Sequence, residues 1–258
     1  MLDFSDIVSQ YPPQLQPFRR NLFREYLQYK ILAVISASEF NTKLSFLGGT
    51  ALRIIHNNSR FSEDLDFDNF DLSESDFDSL TSVVQKGLEA EGYQVEIRNV
   101  YKGAYRCYFR LPHILYEQGL SPFEEEKILI QIDTAAHHFV YEPTVAIINK
   151  FEVFAPVRTT SLDIILSQKM YAALNMKTAK GRDFFDIVFL IPRTLPNYSY
   201  LKQKMGIENA PALRRTLLQQ TEKLDFEQLA RDVRPFLFNP VDDQKVRLFR
   251  EYIKQATL

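Results

Sequence analysis

The sequence has no apolar run near the roughly 18 residues that a bilayer span needs, and no charged, apolar, small-residue leader opens it. These absences predict a cytoplasmic protein with no membrane span. Cysteine is nearly missing. Cys107 stands alone in 258 residues, so no internal disulfide forms, which fits a reducing compartment. We read Cys107 as strand packing. An excess of one charge is missing too: a formal net charge of −2 excludes a generally basic nucleic-acid coat, but not a local basic groove. No GxxxxGK(S/T) loop is present, which excludes a P-loop. His137-His138 lacks a Cys or Glu at zinc spacing, and no Ser-His-Asp or Cys-His arrangement stands out. There is no internal repeat and no low-complexity tract. What remains is an ordinary globular composition, 45% hydrophobic and 25% charged, long enough for one large or two small domains.

The most informative stretch runs from Phe46 to Phe67. Apolar Leu44, Phe46 and Leu47 lead into Gly48-Gly49, then Thr50 and the helix-compatible run Ala51-Leu52-Arg53-Ile54-Ile55. After a polar turn come Asp64 and Asp66 on either side of Leu65. In an extended strand the two carboxylates point one way, roughly 7 Å apart, while Leu65 and Phe67 point into the body. Two such acids repel unless a cation sits between them. A hard ion such as Mg²⁺, with Mn²⁺ as a substitute, bound through carboxylates and substrate phosphates, suits that place. The glycine pair suits a backbone that must come close to a phosphate. Arg53 points at phosphate or at solvent, and Ser62 bonds phosphate or satisfies the turn.

The remaining chain alternates elements. A helix is expected from Phe18 to Ser38, with Arg19, Arg20, Arg24 and Lys30 on its solvated face. A second runs from Ser73, as cap, to Gly92. Tyr93 to Arg110 reads as a hairpin around Lys102-Gly103, interleaving Arg98, Lys102, Arg106 and Arg110 with Tyr101, Tyr105 and Tyr108. Lys127 to Asp133 is a strand with Ile128, Ile130 and Ile132 on one face. Asp133, at its end on the other face, is a third acid for metal or a solvated strand terminus. Helices follow at Ser161 to Met176 and Gly181 to Leu190, and the rest is helical with breaks at Pro235 and Pro240. A boundary near residues 152–160 divides an α/β region, 1–155, from a helical region, 156–258.

Gly48-Gly49-Thr50-Ala51-Leu52-Arg53 followed by Arg60-Phe61-Ser62-Glu63-Asp64-Leu65-Asp66-Phe67 resembles the signature of polymerase-β-type nucleotidyltransferases, specifically the AbiEii/AbiGii (MenT-like) toxin family. The strand ending in Asp133 is similar to one in that family, and Lys169 to Leu190 resembles its downstream motif. The resemblance implies an α+β, nucleotidyltransferase-like small mixed sheet with flanking helices. It also implies metal-dependent transfer of a nucleotide from an NTP, with Asp64, Asp66 and Asp133 holding metal and Gly48, Gly49 and Thr50 cradling phosphate. Lys169 and Arg182 would bind the triphosphate, and Asp183 would act as base or orient a basic group. Without the resemblance, Asp183 is a favourable acid in a helix first turn, and Arg182 with Asp186 is a surface ion pair. Lys177 stands where relatives often carry Arg, which puts a phosphate role there in doubt. The family further implies a toxin with a DNA-binding antitoxin encoded beside it, and an RNA acceptor, tRNA first. A small-molecule or protein acceptor, or a catalytically silent nucleotide- or partner-binding protein, are the alternatives.

Overall fold

The computed structural model describes residues 2–175 and 178–258, and Lys177 therefore lies outside the described residues. The chain forms two compact units. The first holds residues 2–57, Phe61–His138 and Glu142–Thr159; the second holds Asn58–Arg60, Phe139–Tyr141 and Thr160–Leu258. No helix among the described residues is long and apolar enough to cross a membrane.

In the first unit the elements run α1 (Phe4–Ser9), α2 (Arg19–Ala37), β1 (Leu44–Leu47), α3 (Gly48–Ile54), β2 (Leu65–Asn69), α4 (Glu74–Ala90), β3 (Glu96–Tyr101), β4 (Tyr105–Leu111), α5 (Ile114–Glu117), β5 (Ile128–Ala135), β6 (Thr144–Lys150) and β7 (Val153–Thr159). The seven strands make one mixed sheet in the order β3-β4-β5-β2-β1-β7-β6. β2 is parallel to β5, and β1 is parallel to β7. The other neighbours are antiparallel.

Local chemistry accounts for much of this. Ser73 caps α4 reciprocally: its hydroxyl accepts from the Asp76 N–H at 3.1 Å, and its own N–H donates to the Asp76 carboxylate at 3.0 Å. Phe77, Leu80, Val84 and Leu88 then form the buried stripe of that helix. In β5, Ile128, Ile130 and Ile132 are buried while Leu129 is exposed, as strict alternation requires. α2 packs on β7 and α4. Its Lys30 is not on a solvated face: it is buried, with the ammonium 2.9 Å from Glu91 and 2.5 Å from Glu152. The β6–β7 hairpin, unforeseen from the sequence, turns at Phe151 with φ of 58°.

The second unit is helical: α6 (Leu162–Asn175), α7 (Gly181–Leu190), α8 (Tyr198–Met205), α9 (Ala210–Gln220), α10 (Phe226–Val233), α11 (Gln244–Arg247) and α12 (Phe249–Gln255). Side chains of Asn197, Asn209 and Asp225 cap α8, α9 and α10 by accepting backbone N–H bonds. α7 sits against α6, α10 and α11. Gly181 opens it because a Cβ there would lie 1.9 Å from the Leu229 carbonyl oxygen. Phe184, Phe226 and Phe249 pack edge-on and stacked, with centroids 4.9 to 5.7 Å apart. The short segment Asn58–Arg60 is tied in by an antiparallel bridge from Arg60 to Leu237 and by the Phe238 N–H bonding the Ser59 carbonyl.

Candidate active site

β1 ends at Leu47, and the chain turns through Gly48 at φ of +79° into α3. A side chain there would be strained, and it would also collide: a Cβ on Gly48 would lie 2.2 Å from Oδ2 of Asp66. Glycine at this position therefore lets the Asp66 carboxylate lie directly on the backbone of the turn. Leu47 and Asp66 are cross-strand partners, which fixes that approach. Thr50 is fully buried, and its hydroxyl donates to the carbonyl of Asp64 at 2.5 Å. The Thr50 side chain thus anchors the backbone just before β2. Ser62 sits in the irregular lead-in, where the carbonyls of Ser62 and Glu63 accept from Gln28 at 3.1 and 2.9 Å.

Asp64 immediately precedes β2 and Asp66 lies within it; both are partly exposed, whereas Leu65 and Phe67 are buried. Asp66 and Asp133 are register partners on adjacent parallel strands, so the third expected acid stands beside the pair. Its carboxylate is taken, however. Arg106 Nε donates to Oδ1 at 2.6 Å and Gln131 Nε2 to Oδ2 at 2.6 Å. A further acid, Asp68, escaped the sequence reading. It is buried and accepts the His137 N–H at 3.0 Å, and the signal was the continued alternation Asp64, Asp66, Asp68.

These groups offer hard carboxylate oxygens, the donor chemistry that Mg²⁺ takes. Among the described residues no set of three or more His, Cys, Asp or Glu side chains is gathered to hold an ion. The arrangement fits an ion bound by the Asp64 and Asp66 carboxylates and completed by substrate phosphates, the usual economy of Mg²⁺ sites.

The register extends one sheet face outward from these acids. Asp133 pairs with Arg106, Gln131 with Tyr108, and Leu129 with Arg110. Across the next ladder Tyr108 pairs with Arg98. Arg98, Arg106, Arg110 and Tyr108 therefore share the face of Asp66 and Asp133. Tyr101 and Tyr105 do not. They lie on the opposite face against Phe77 of α4, with centroids 6.2 and 5.7 Å away. The expected interleaving of three tyrosines with the arginines is thus reduced to Tyr108, over which the Arg110 guanidinium sits at 5.8 Å. The Arg53 guanidinium grips Glu25 of α2 at 2.8 and 3.1 Å.

The second unit holds the downstream motif in a closed network. Lys169 of α6 reaches Asp183 at 2.8 Å and Asp186 at 3.0 Å, both on α7. Arg60 forks onto both oxygens of Asp186 at 2.7 and 2.6 Å, and Asn58 adds a bond at 2.9 Å. Burial pulls the Lys169 ammonium down, but Asp183 and Asp186 outweigh it and hold the group above its ordinary pKa. Burial likewise raises the Asp186 carboxyl, and Arg60 and Lys169 overcome it to bring it down to about 2. Asp186 is therefore no surface partner of Arg182. Arg182 instead lies over the Phe236 ring at 4.6 Å. Asn58, Arg60 and Asp186 were missed as site-building residues because Arg60 and Asp186 are 126 positions apart.

A family model described as the nucleotidyl transferase AbiEii toxin of type IV TA systems matches residues 30–255. No curated protein matches the sequence. Among solved structures, JHP933 from Helicobacter pylori is 18% identical with a TM-score of 0.55, covering 90% of this chain and 91% of its own. A second H. pylori structure, provisionally described as a nucleotidyltransferase, gives the same identity and TM-score over 90% and 93% of the two chains. At that identity the likeness speaks for the fold alone. With its motif, its sheet and a family match over most of its length, the chain belongs to the nucleotidyl transferase AbiEii toxin family of type IV toxin–antitoxin systems.

Proposed function

We propose that this chain moves a nucleotide from an NTP to RNA, with tRNA as the first acceptor to try, and that transfer depends on a divalent metal held by Asp64 and Asp66. The observation that carries the reading is the seating of Asp66 against the Gly48 turn, beside Asp133 in register. Mg²⁺ at such acids would neutralise phosphate charge and orient the triphosphate. The chain's own residues do the rest. Gly48 and Gly49 let the main chain approach a phosphate, and Thr50 and Gln28 fix the segment from which Asp64 projects. Asp133 serves as a third acid only where Arg106 releases it. Lys169 and Arg182 are proposed to meet the phosphates, with Asp183 orienting the Lys169 ammonium at 2.8 Å. Asp186 and Arg60 hold that pair in position, and Asp186 joins Asp183 in keeping the lysine charged against the opposing pull of Arg60.

RNA as acceptor is supported by the face that Arg98, Arg106, Arg110 and Tyr108 share with the acids, because basic and aromatic side chains suit phosphates and unpaired bases. As a toxin the protein would act in the cytoplasm, countered by a DNA-binding antitoxin encoded nearby. The test is incubation with each labelled NTP, Mg²⁺ and total RNA, with RNA and protein resolved on gels. Label on RNA that requires Mg²⁺ supports the reading. Label only on a small molecule or on protein replaces the acceptor, and no label anywhere replaces the enzyme with a silent binding protein.

A further inference from the structure

At the far end of α3 from the Gly48 turn lies a second polar constellation. Glu25 and Tyr29 come from α2, one helical turn apart, Arg53 from the last turn of α3, and Lys150 from the end of β6. Oε1 of the buried Glu25 accepts from the Tyr11 hydroxyl at 2.9 Å, from Arg53 at 3.1 Å and from Lys150 at 3.1 Å, while Oε2 accepts from Arg53 at 2.8 Å. The Lys150 ammonium also lies 3.4 Å from the centroid of the Tyr11 ring. Arg53, Lys150 and Glu25 together carry two positive charges against one negative. Burial lowers the Lys150 pKa and Arg53 lowers it further, and the pull of Glu25 does not make up the difference. A cation held below its ordinary pKa gains from an added anion.

These groups are not sealed in. They line a cleft of about 350 Å³, together with Tyr29, Asn57, Asn149 and an isoleucine wall that includes Ile147. That size is within the range of small-molecule sites, which pair an apolar lining with a few fixed polar groups. We propose that this cleft is a second binding site, separate from the transferase acids, for a small molecule carrying an oxyanion. The phosphate or carboxylate sits against Arg53 and Lys150, Asn57 and Asn149 supply further donors, and the isoleucines cover the apolar remainder. Lys150, as a compact three-donor charge, supplies the attraction; Arg53, already spending two donors on Glu25, keeps the cluster in place.

The experiment titrates the full-length chain with inorganic phosphate and, separately, with succinate, at constant ionic strength, and reads melting temperature and calorimetric heat. The expected result is a saturable rise with at least one of them, the more effective one naming the oxyanion. Asn149→Asp places a carboxylate on an exposed position at the cleft, so it leaves the fold intact and weakens the response at least tenfold. Lys150→Met abolishes the response. An anion that binds only at Lys169 and Arg182 would act equally on wild type and Asn149→Asp. That equality, or no saturable response to either anion, overturns the proposal.

Discussion

Two groups of acids in this molecule are handled in opposite ways. Asp64 and Asp66 project from a strand and its lead-in, partly exposed, and Asp66 lies over a backbone that glycine has cleared. Asp183 and Asp186 project from a helix into a network with Lys169, Arg60 and Asn58, where two positive charges meet two negative ones. Even within that network there is a gradient. Arg60 and Asp186 are almost wholly buried, whereas the side chains of Lys169 and Asp183 keep 16% and 10% exposure. The first group stays within reach of solvent. The second is built around charge already matched, and its Lys169–Asp183 end keeps the most exposure. Acids that look alike in a sequence thus divide by where the fold puts them, at a partly exposed strand or inside a buried ion-pair network.

That contrast is open to direct attack. The largest effect is expected at Arg60→Met. Removing one partner of a buried pair strands the other, which costs about 3–5 kcal/mol, so chemical denaturation should show a second unit that is severely weakened. A loss under about 1 kcal/mol would class the pair with surface ion pairs and erase the contrast. Acid gives the next largest effect. The Asp186 carboxyl is held at about 2, below its unfolded value, so its stabilisation is complete above about pH 4 and fades as the pH falls toward 2. The amount is about 2–3 kcal/mol, and Asp186→Asn should remove that part of the acid sensitivity in equilibrium unfolding across this window. An unchanged acid profile would contradict it.

A smaller effect tests the face beside the transferase acids. Replacing Arg98 and Arg110 together with Gln should weaken RNA binding and reduce its log–log salt slope by about 1.4, roughly 0.7 per lost phosphate contact on single strands. NTP binding should be unchanged. An RNA affinity with the wild-type salt slope would detach this face from the acceptor.

Much of the fold was legible because it is written locally. The Ser73–Asp76 capping box and the alternation of Ile128, Ile130 and Ile132 are such signals, and so are the glycine turn and the Asp64–Asp66 spacing. The β6–β7 hairpin was not, because Pro156 interrupts what would otherwise read as a clean alternation, and proline argues against an interior strand. Charged residues failed for a different reason. Lys30, Arg60 and Asp186 look like surface positions in any local window, and each is buried against at least one partner more than 50 positions away. Tyr101 and Tyr105 show a third kind of miss. Counting aromatic residues along a hairpin ignored the pleat, which sends them to the face opposite Tyr108.

The central claim is that Asp66 serves chemistry and contributes little to stability. Asp66→Asn keeps the shape that rests on Gly48 and removes only the charge. The decisive measurement pairs Mg²⁺-dependent transfer from labelled NTP with a melting curve in metal-free buffer. The account predicts transfer reduced by about 100-fold or more, equivalent to roughly 2.7 kcal/mol or more of transition-state stabilisation, with a melting temperature equal to or slightly above wild type. Near-normal transfer by the Asn variant, or a melting temperature that collapses with it, would contradict the account.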